Sequence, residues 1–370
     1  MLPGAKRFFW LAGLGLLAMS ARAVDVLPGV PAPDLDAQFR RTSGWIGADA
    51  AYSIPLATNV TLWLFGDTFV GEIKDGRRTD AVMINNTLAL QHGLDQVEYF
   101  HGKSRDGKPE AFFKPPDGRG YFWPMHGART EDGLWLILHQ IVNVKTGTPF
   151  GFKAVDCWLA RIANPDEPPA RWEIKYTRLP FTKIAPGSAL TFGGAVMRDG
   201  DFIYIGGTDS RPATKQRFGH GGLVLARVPV QQLGDFKQWR FLAEGQWQKD
   251  FQKVTPLFAD VASEFSLSYL PGAQCYVAVY MSGGIYGSIH VRFAPAPKGP
   301  WSAPETVYRC PELDWPVQAF CYSAKAHPEL ASAPDELVIT YAANSWKFSN
   351  LFSEPRLYWP RFVRVKVNAR

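Results

Sequence analysis

Two aspartates face one another across a short hairpin near the start of this 370-residue chain. The segment GWIGADAAYSIPLATNVTLWLFGDTF holds an apolar strand, a polar turn at Ala57-Thr58-Asn59 and a second apolar strand. With the turn centred on Thr58, the pairing places Asp49 opposite Asp67 at the open end of the hairpin. Directly opposed residues hold their Cβ atoms about 4.5–5.5 Å apart. Two carboxylates that close repel, so one of them keeps its proton to a higher pH. A protonated and an ionised carboxyl side by side are the reagents of glycosidic bond hydrolysis, one as acid and the other as base or nucleophile. Taken singly, each residue is also an ordinary structural aspartate, Asp49 capping a turn and Asp67 bonding backbone in Gly-Asp-Thr. Spacing alone does not divide the two roles.

The strand phrase around Asp67 returns four more times. LWLFGDT from Leu62 is followed by LWLILHQ from Leu134, FIYIGGT from Phe202, CYVAVYMS from Cys275 and LVITYAA from Leu337. Their starts lie roughly 60 to 75 residues apart, each after a turn cluster and before a third strand. This repeat predicts an all-β fold, a five-bladed β-propeller whose ligand site lies on the axis. Blade five lacks a fourth strand, because the chain stops just after RFVRVKV. An open edge is an aggregation hazard. The segment Leu35 to Arg41 is therefore expected to close blade five as an N-terminal strand paired with Arg361 to Val367.

The polar starts of the other blades supply candidate ligand-binding residues. FWPMHGAR offers Trp123 and His126, SEFSLSY offers Glu264, and YSAKAHPEL offers Lys325, His327 and Glu329. Trp45, Tyr52 and Trp346 lie near predicted axial loops, where flat aromatic faces suit sugar rings. His139 holds in blade two the place of Asp67 in blade one. Gly193 and Gly194 leave room on the axis. His126 and His327 read equally well as satisfied structural histidines, and Glu264 as an inter-blade ion-pair partner.

Composition bounds the rest. Lys6 and Arg7, an apolar run from Phe8 to Met19 and Ala21-Arg22-Ala23 form a signal-peptide pattern, so residues 1–23 are expected to be removed and the protein exported to a periplasmic or extracellular space. Residues 24–370 are expected to form a single domain and a monomer. No later segment is apolar enough to span a membrane. Loss of Lys6, Arg7 and Arg22 brings the formal charge from +6 to about +3, without a basic stripe, which argues against nucleic acid. No CxxC or His/Cys cluster suggests zinc, and no DxDxD loop suggests a calcium cage; no cofactor is expected. Of four cysteines, Cys310 and Cys321 flank a short loop and are the expected disulfide, with Cys157 and Cys275 as buried thiols.

The strings GADAAYSIPL, LWLFGDTF, MINNTLAL and SAKAHPEL resemble the five-bladed propellers of domain of unknown function 4185 and the related endo-D-arabinanases of glycoside hydrolase family 183. The resemblance runs over most of residues 24–370 and is densest in blade one and at the start of blade five. It implies catalysis by two blade-one aspartates, here Asp49 in GADA and Asp67 in FGDT, on a D-arabinan-like polysaccharide cleaved within the chain. The loop from Phe100 to Tyr121 has no counterpart in it. A non-catalytic carbohydrate-binding or envelope-associated propeller is the other class open to this sequence. Its discriminator is the aspartate pair, which a binding module does not need.

Overall fold

Alternating apolar strands joined by Gly, Asn and Asp turns pair with their sequence neighbours, and the chain lays down one antiparallel sheet after another. The computed structural model describes residues 24–145, 151–211, 221–282 and 287–369. Residues 1–23, expected to be a signal peptide, lie outside the described residues. Of the seven sheets among the described residues, five follow in order as blades. Their innermost strands are Tyr52–Ala57, Tyr121–Thr130, Ser188–Asp199, Phe265–Leu270 and Ala319–Ala326. Each innermost strand packs beside the next, and side chains of blade five reach blade one to complete the ring. The fold is a β-propeller of five blades.

Blade one keeps the expected register. Tyr52 pairs with Leu64, Ser53 with Trp63 and Ile54 with Leu62. Its third strand arrives late. Thr68–Lys74 and Arg77–Ile84 form an extra hairpin that joins Ser43–Ala48 in a separate sheet before Thr87–His92 returns to the blade. The loop after Phe100 is tied down by Asn86, which donates to the Phe113 and Phe122 carbonyls and accepts from the Phe113 N–H.

The ring closes through the N-terminus, but through earlier residues than expected. Val24–Val26 and Val30–Pro31 pair with Pro360–Ala369. Leu35 to Arg41 is not a strand: Pro33–Phe39 is a helix. Pro33 in the first turn has no N–H to lose, and Asp34 and Asp36 favour the positive end of the helix. Leu35 and Phe39, one turn apart, point into the core. Phe39 is buried against Trp63, Phe65 and Phe362, so this helix joins the first blade to the last. Phe39→Ala should cost about 3–5 kcal/mol, read from denaturant unfolding.

The expected disulfide is not formed, although the Cys310 and Cys321 thiols do meet. Cys310 and Cys321 are free and buried, like Cys157 and Cys275. Glu312 stands with the two thiols, its carboxylate accepting from the Tyr341 hydroxyl at 2.9 Å and more weakly from Cys321 at 3.9 Å. Arg361 lies 3.0 Å from its other oxygen. One ligand atom from each of Cys310, Glu312 and Cys321 lies within 4.8 Å of the others, but the carboxylate already has a cation and a hydroxyl.

Candidate active site

The two aspartates lie where the hairpin of blade one opens. The Asp49 N–H donates to the Asp67 carbonyl at 3.2 Å, and the Gly66 N–H donates to the Asp49 carbonyl at 3.2 Å. Ala48 then pairs with Thr68 in the neighbouring sheet. Ala50 and Ala51 take left-handed backbone angles, φ 67° and 56°, which carry the chain from one sheet to the other. Gly66 makes the close approach possible. A Cβ there would collide with Asp49 Oδ1. Gly66→Ala should fold normally, because the carboxylate can move aside. It should lower activity by about a hundredfold, as a misplacement near 1 Å does; matching melting curves with reduced turnover would show this.

Each carboxyl has one oxygen held and one unheld by these donors. Asp49 Oδ2 accepts from the Tyr322 hydroxyl at 2.6 Å and the Tyr358 hydroxyl at 3.0 Å. Asp67 Oδ1 accepts from the Trp123 indole at 3.0 Å and from the Asn85 amide at 3.4 Å. Burial, with the negative charges of Asp67 and Glu264, pushes Asp49 up to about 8, against the opposing effect of its two tyrosines. Burial also pushes Asp67 up, but the Trp123 and Asn85 donors hold it to about 6. At neutral pH the pair is split into one acid and one base. With Oδ2 of Asp49 occupied as an acceptor, the proton belongs on Oδ1, beside Gly66.

Glu264 reaches the same centre from blade four and is partly exposed. Its Oε1 accepts from the Ser323 hydroxyl at 2.6 Å and lies 3.4 Å from Lys325 Nζ. Lys325 is itself buried. It donates to Ser323, and its ammonium sits 4.3 Å from the centre of the Tyr52 ring. Burial lowers its proton affinity and Glu264 partly restores it.

The other expected ligand contacts divide. Trp123 is partly exposed and bonded to Asp67, so it belongs to the site. Tyr52 is buried, donating to the Gly194 carbonyl at 3.2 Å and stacking on His126. His126 accepts from the Val196 N–H at 2.9 Å through Nδ1 and faces the Ser53 carbonyl at 3.1 Å through Nε2. Burial drops it to about 4, a neutral ring that ties the innermost strands of blades one, two and three. His327 is wholly buried between Ser53 and Thr340, at 2.5 and 2.6 Å, and burial lowers it well below the ordinary range. Glu329 lies 4.0 Å from it. His139 donates from Nε2 to the Phe192 carbonyl at 3.0 Å, inside the ring. Trp45 is a correction. It is 4% exposed, stacked on Tyr99 and bonded to Thr87, and so belongs to the core behind the site.

Tyr322, Ser323, Tyr358 and Asn85 were not singled out from sequence. Tyr322 and Ser323 open the YSAKAHPEL string, and Asn85 lies in MINNTLAL, so a polar side chain at a blade start was the available signal. Tyr358, in LYWP, carried none. Strain marks the place: Ala50, Ala51, Ser323 and Tyr358 all have positive φ, which non-glycine residues adopt at a cost of about 1–3 kcal/mol each. Arg78 helps to hold Tyr358. It is buried and donates to the carbonyls of Ile46, Leu351 and Leu357, linking blade one to the segment before Tyr358.

Comparison with solved structures supports the fold. A Bacteroides ovatus ATCC 8483 protein described as a putative hydrolase superposes with a TM-score of 0.72 at 19% identity, over 95% of this chain and 93% of that one. The catalytic domain of a glycoside hydrolase family 62 α-L-arabinofuranosidase from Coprinopsis cinerea gives 0.47 at 11% identity, over 94% and 97%. A family 43_1 enzyme from Xanthomonas citri gives 0.47 at 12%, over 90% and 91%. At such scores neither of the last two bears on function here. A search for curated relatives gave no match. The family model of the domain of unknown function DUF5005 matches residues 33–367, a different family from the one the blade-one strings resembled, and the chain belongs to DUF5005.

Proposed function

We propose that this protein is a glycoside hydrolase that cleaves a furanoside polysaccharide within the chain, a D-arabinan-like polymer, from an exported location. One observation carries the reading: two buried carboxyls meet where the blade-one hairpin opens, Asp49 held by two tyrosine hydroxyls and Asp67 by an indole and an amide, each with its second oxygen unheld by these donors. Asp49 is the general acid, protonating the leaving oxygen from Oδ1. Asp67, ionised, offers Oδ2 as base toward water or as nucleophile. Glu264, held by Ser323 and Lys325, adds the negative charge that helps keep the proton on Asp49. Each carboxyl carries an aromatic donor, Trp123 on Asp67 and Tyr322 on Asp49, and flat aromatic faces suit sugar rings.

The test is incubation with D- and L-arabinans, galactans, mannans and xylans, with product sizes read by mass. Oligosaccharides of mixed length from D-arabinan are the expected result. Binding to a polysaccharide without any product would replace this reading with a carbohydrate-binding propeller.

A further inference from the structure

Most large aromatic side chains of this protein are buried. Trp346 and Phe348 are not: they are 53% and 54% exposed on one short segment after the second strand of blade five. The segment is held firmly. The Trp346 N–H donates to the Gln318 carbonyl at 3.1 Å, the Ser345 hydroxyl donates to the Val317 carbonyl at 2.6 Å, and the Asn350 amide donates to the same carbonyl at 2.9 Å. These bonds fix the backbone on both sides of the two rings. An exposed indole on a fixed backbone loses little freedom when something stacks on it, which is how aromatic residues come to dominate recognition surfaces.

The place of these rings matters more than their exposure. Trp346 lies 4.6 Å from Phe320, centre to centre, and Phe320 lies 5.5 Å from Tyr322. Tyr322 donates to Asp49. A run of touching aromatic rings therefore links the acid carboxyl to Trp346 along blade five, its middle ring, Phe320, buried beneath the exposed indole. Phe348, two residues on, leans on Phe69 and Phe352, 6.3 and 5.8 Å away. Sugar rings offer apolar C–H faces to aromatic planes and hydroxyls to water, so a surface of this kind fits a glycan better than a wholly apolar partner.

We propose that Trp346, supported by Phe348, is a distal stacking platform for a sugar unit of the same glycan that spans the aspartate pair. The proposal rests on the glycan reading of the site and adds to it the length and direction of the ligand. The chain leaves the acid side over blade five, and units beyond the cleavage point contribute to binding there.

The experiment uses Asp67→Asn, which holds ligand without turning it over, and the same protein carrying Trp346→Ala or Phe348→Ala. Arabinofuranosyl oligosaccharides from di- to octasaccharide are titrated by calorimetry. Melting curves check that the exposed substitutions leave the fold intact. The expected result is an affinity loss of about tenfold or more with Trp346→Ala for the longer oligosaccharides, a smaller loss with Phe348→Ala, and little change for the disaccharide. Equal affinity of the Trp346→Ala protein and its parent for every length overturns the platform while leaving the glycan site standing. A loss of the same size for the disaccharide places Trp346 at the centre and overturns its distal role. If the parent binds no oligosaccharide of the series, the glycan reading fails first and the platform with it.

Discussion

Asp49→Asn and Asp67→Asn should each lower the rate of polysaccharide cleavage by about a thousandfold or more, without unfolding the protein. The two losses have different causes. Asn at 49 can still accept from Tyr322 and Tyr358, so the ring of donors survives, but it has no proton to give the leaving oxygen. Asn at 67 keeps a carbonyl for Trp123 and Asn85 but presents no anionic oxygen to water or to the sugar. Because the two groups act in one reaction, the double variant should be little worse than either single one. Initial rates on polymer and on a substrate with an activated leaving group separate the roles. A good leaving group needs less protonation, so it should partly rescue Asp49→Asn and not Asp67→Asn. Near-normal turnover in both single variants would make the pair structural.

How much of this site could be read in the sequence follows from how far apart its parts lie along the chain. The opposition of Asp49 and Asp67 is a local matter. The turn at Thr58 and the alternation of apolar residues fix the register, and the backbone bond between the two residues obeys it. Tyr322 and Tyr358 reach Asp49 from 273 and 309 residues away, through closure of the ring, and no local pattern encodes that contact. Lys325 and Glu264 were visible as polar residues at blade starts, but their bond to each other was not. Trp45 shows the opposite failure. A tryptophan near an axial loop looks the same in sequence whether it faces a ligand or the core, and burial against Tyr99 decides it. The helix Pro33–Phe39 was legible, since proline, two acidic residues in the first turn and an apolar pair one turn apart all pointed to it. The open edge of blade five points to a strand at Leu35 to Arg41, but Val24–Val26 and Val30–Pro31 supply it instead.

Activity should trace a bell against pH, with an acid limb near 6 and an alkaline limb near 8. Below the first, Asp67 gains a proton and loses the lone pair that attacks or deprotonates. Above the second, Asp49 loses the proton it must donate. Two variants should move the alkaline limb in opposite directions and leave the acid limb near its place. Tyr322→Phe removes a donor that favours the Asp49 carboxylate, so the limb should rise. Glu264→Gln removes a negative charge that opposes it, so the limb should fall. The same proton has a stability sign. A carboxyl whose folded pKa lies above its unfolded value binds its proton more tightly when folded, so its contribution is most favourable below about pH 4 and is lost as pH rises through 8. Asp49→Asn removes that burden. Its melting temperature should therefore fall less than the wild type's between pH 5 and pH 9, while its activity is lost, so that one substitution separates the stability cost of the raised acid from its catalytic use. A wild type and variant that lose stability in parallel over that range would show that Asp49 is ionised throughout, and the acid would then have to be sought elsewhere among the site's carboxyls.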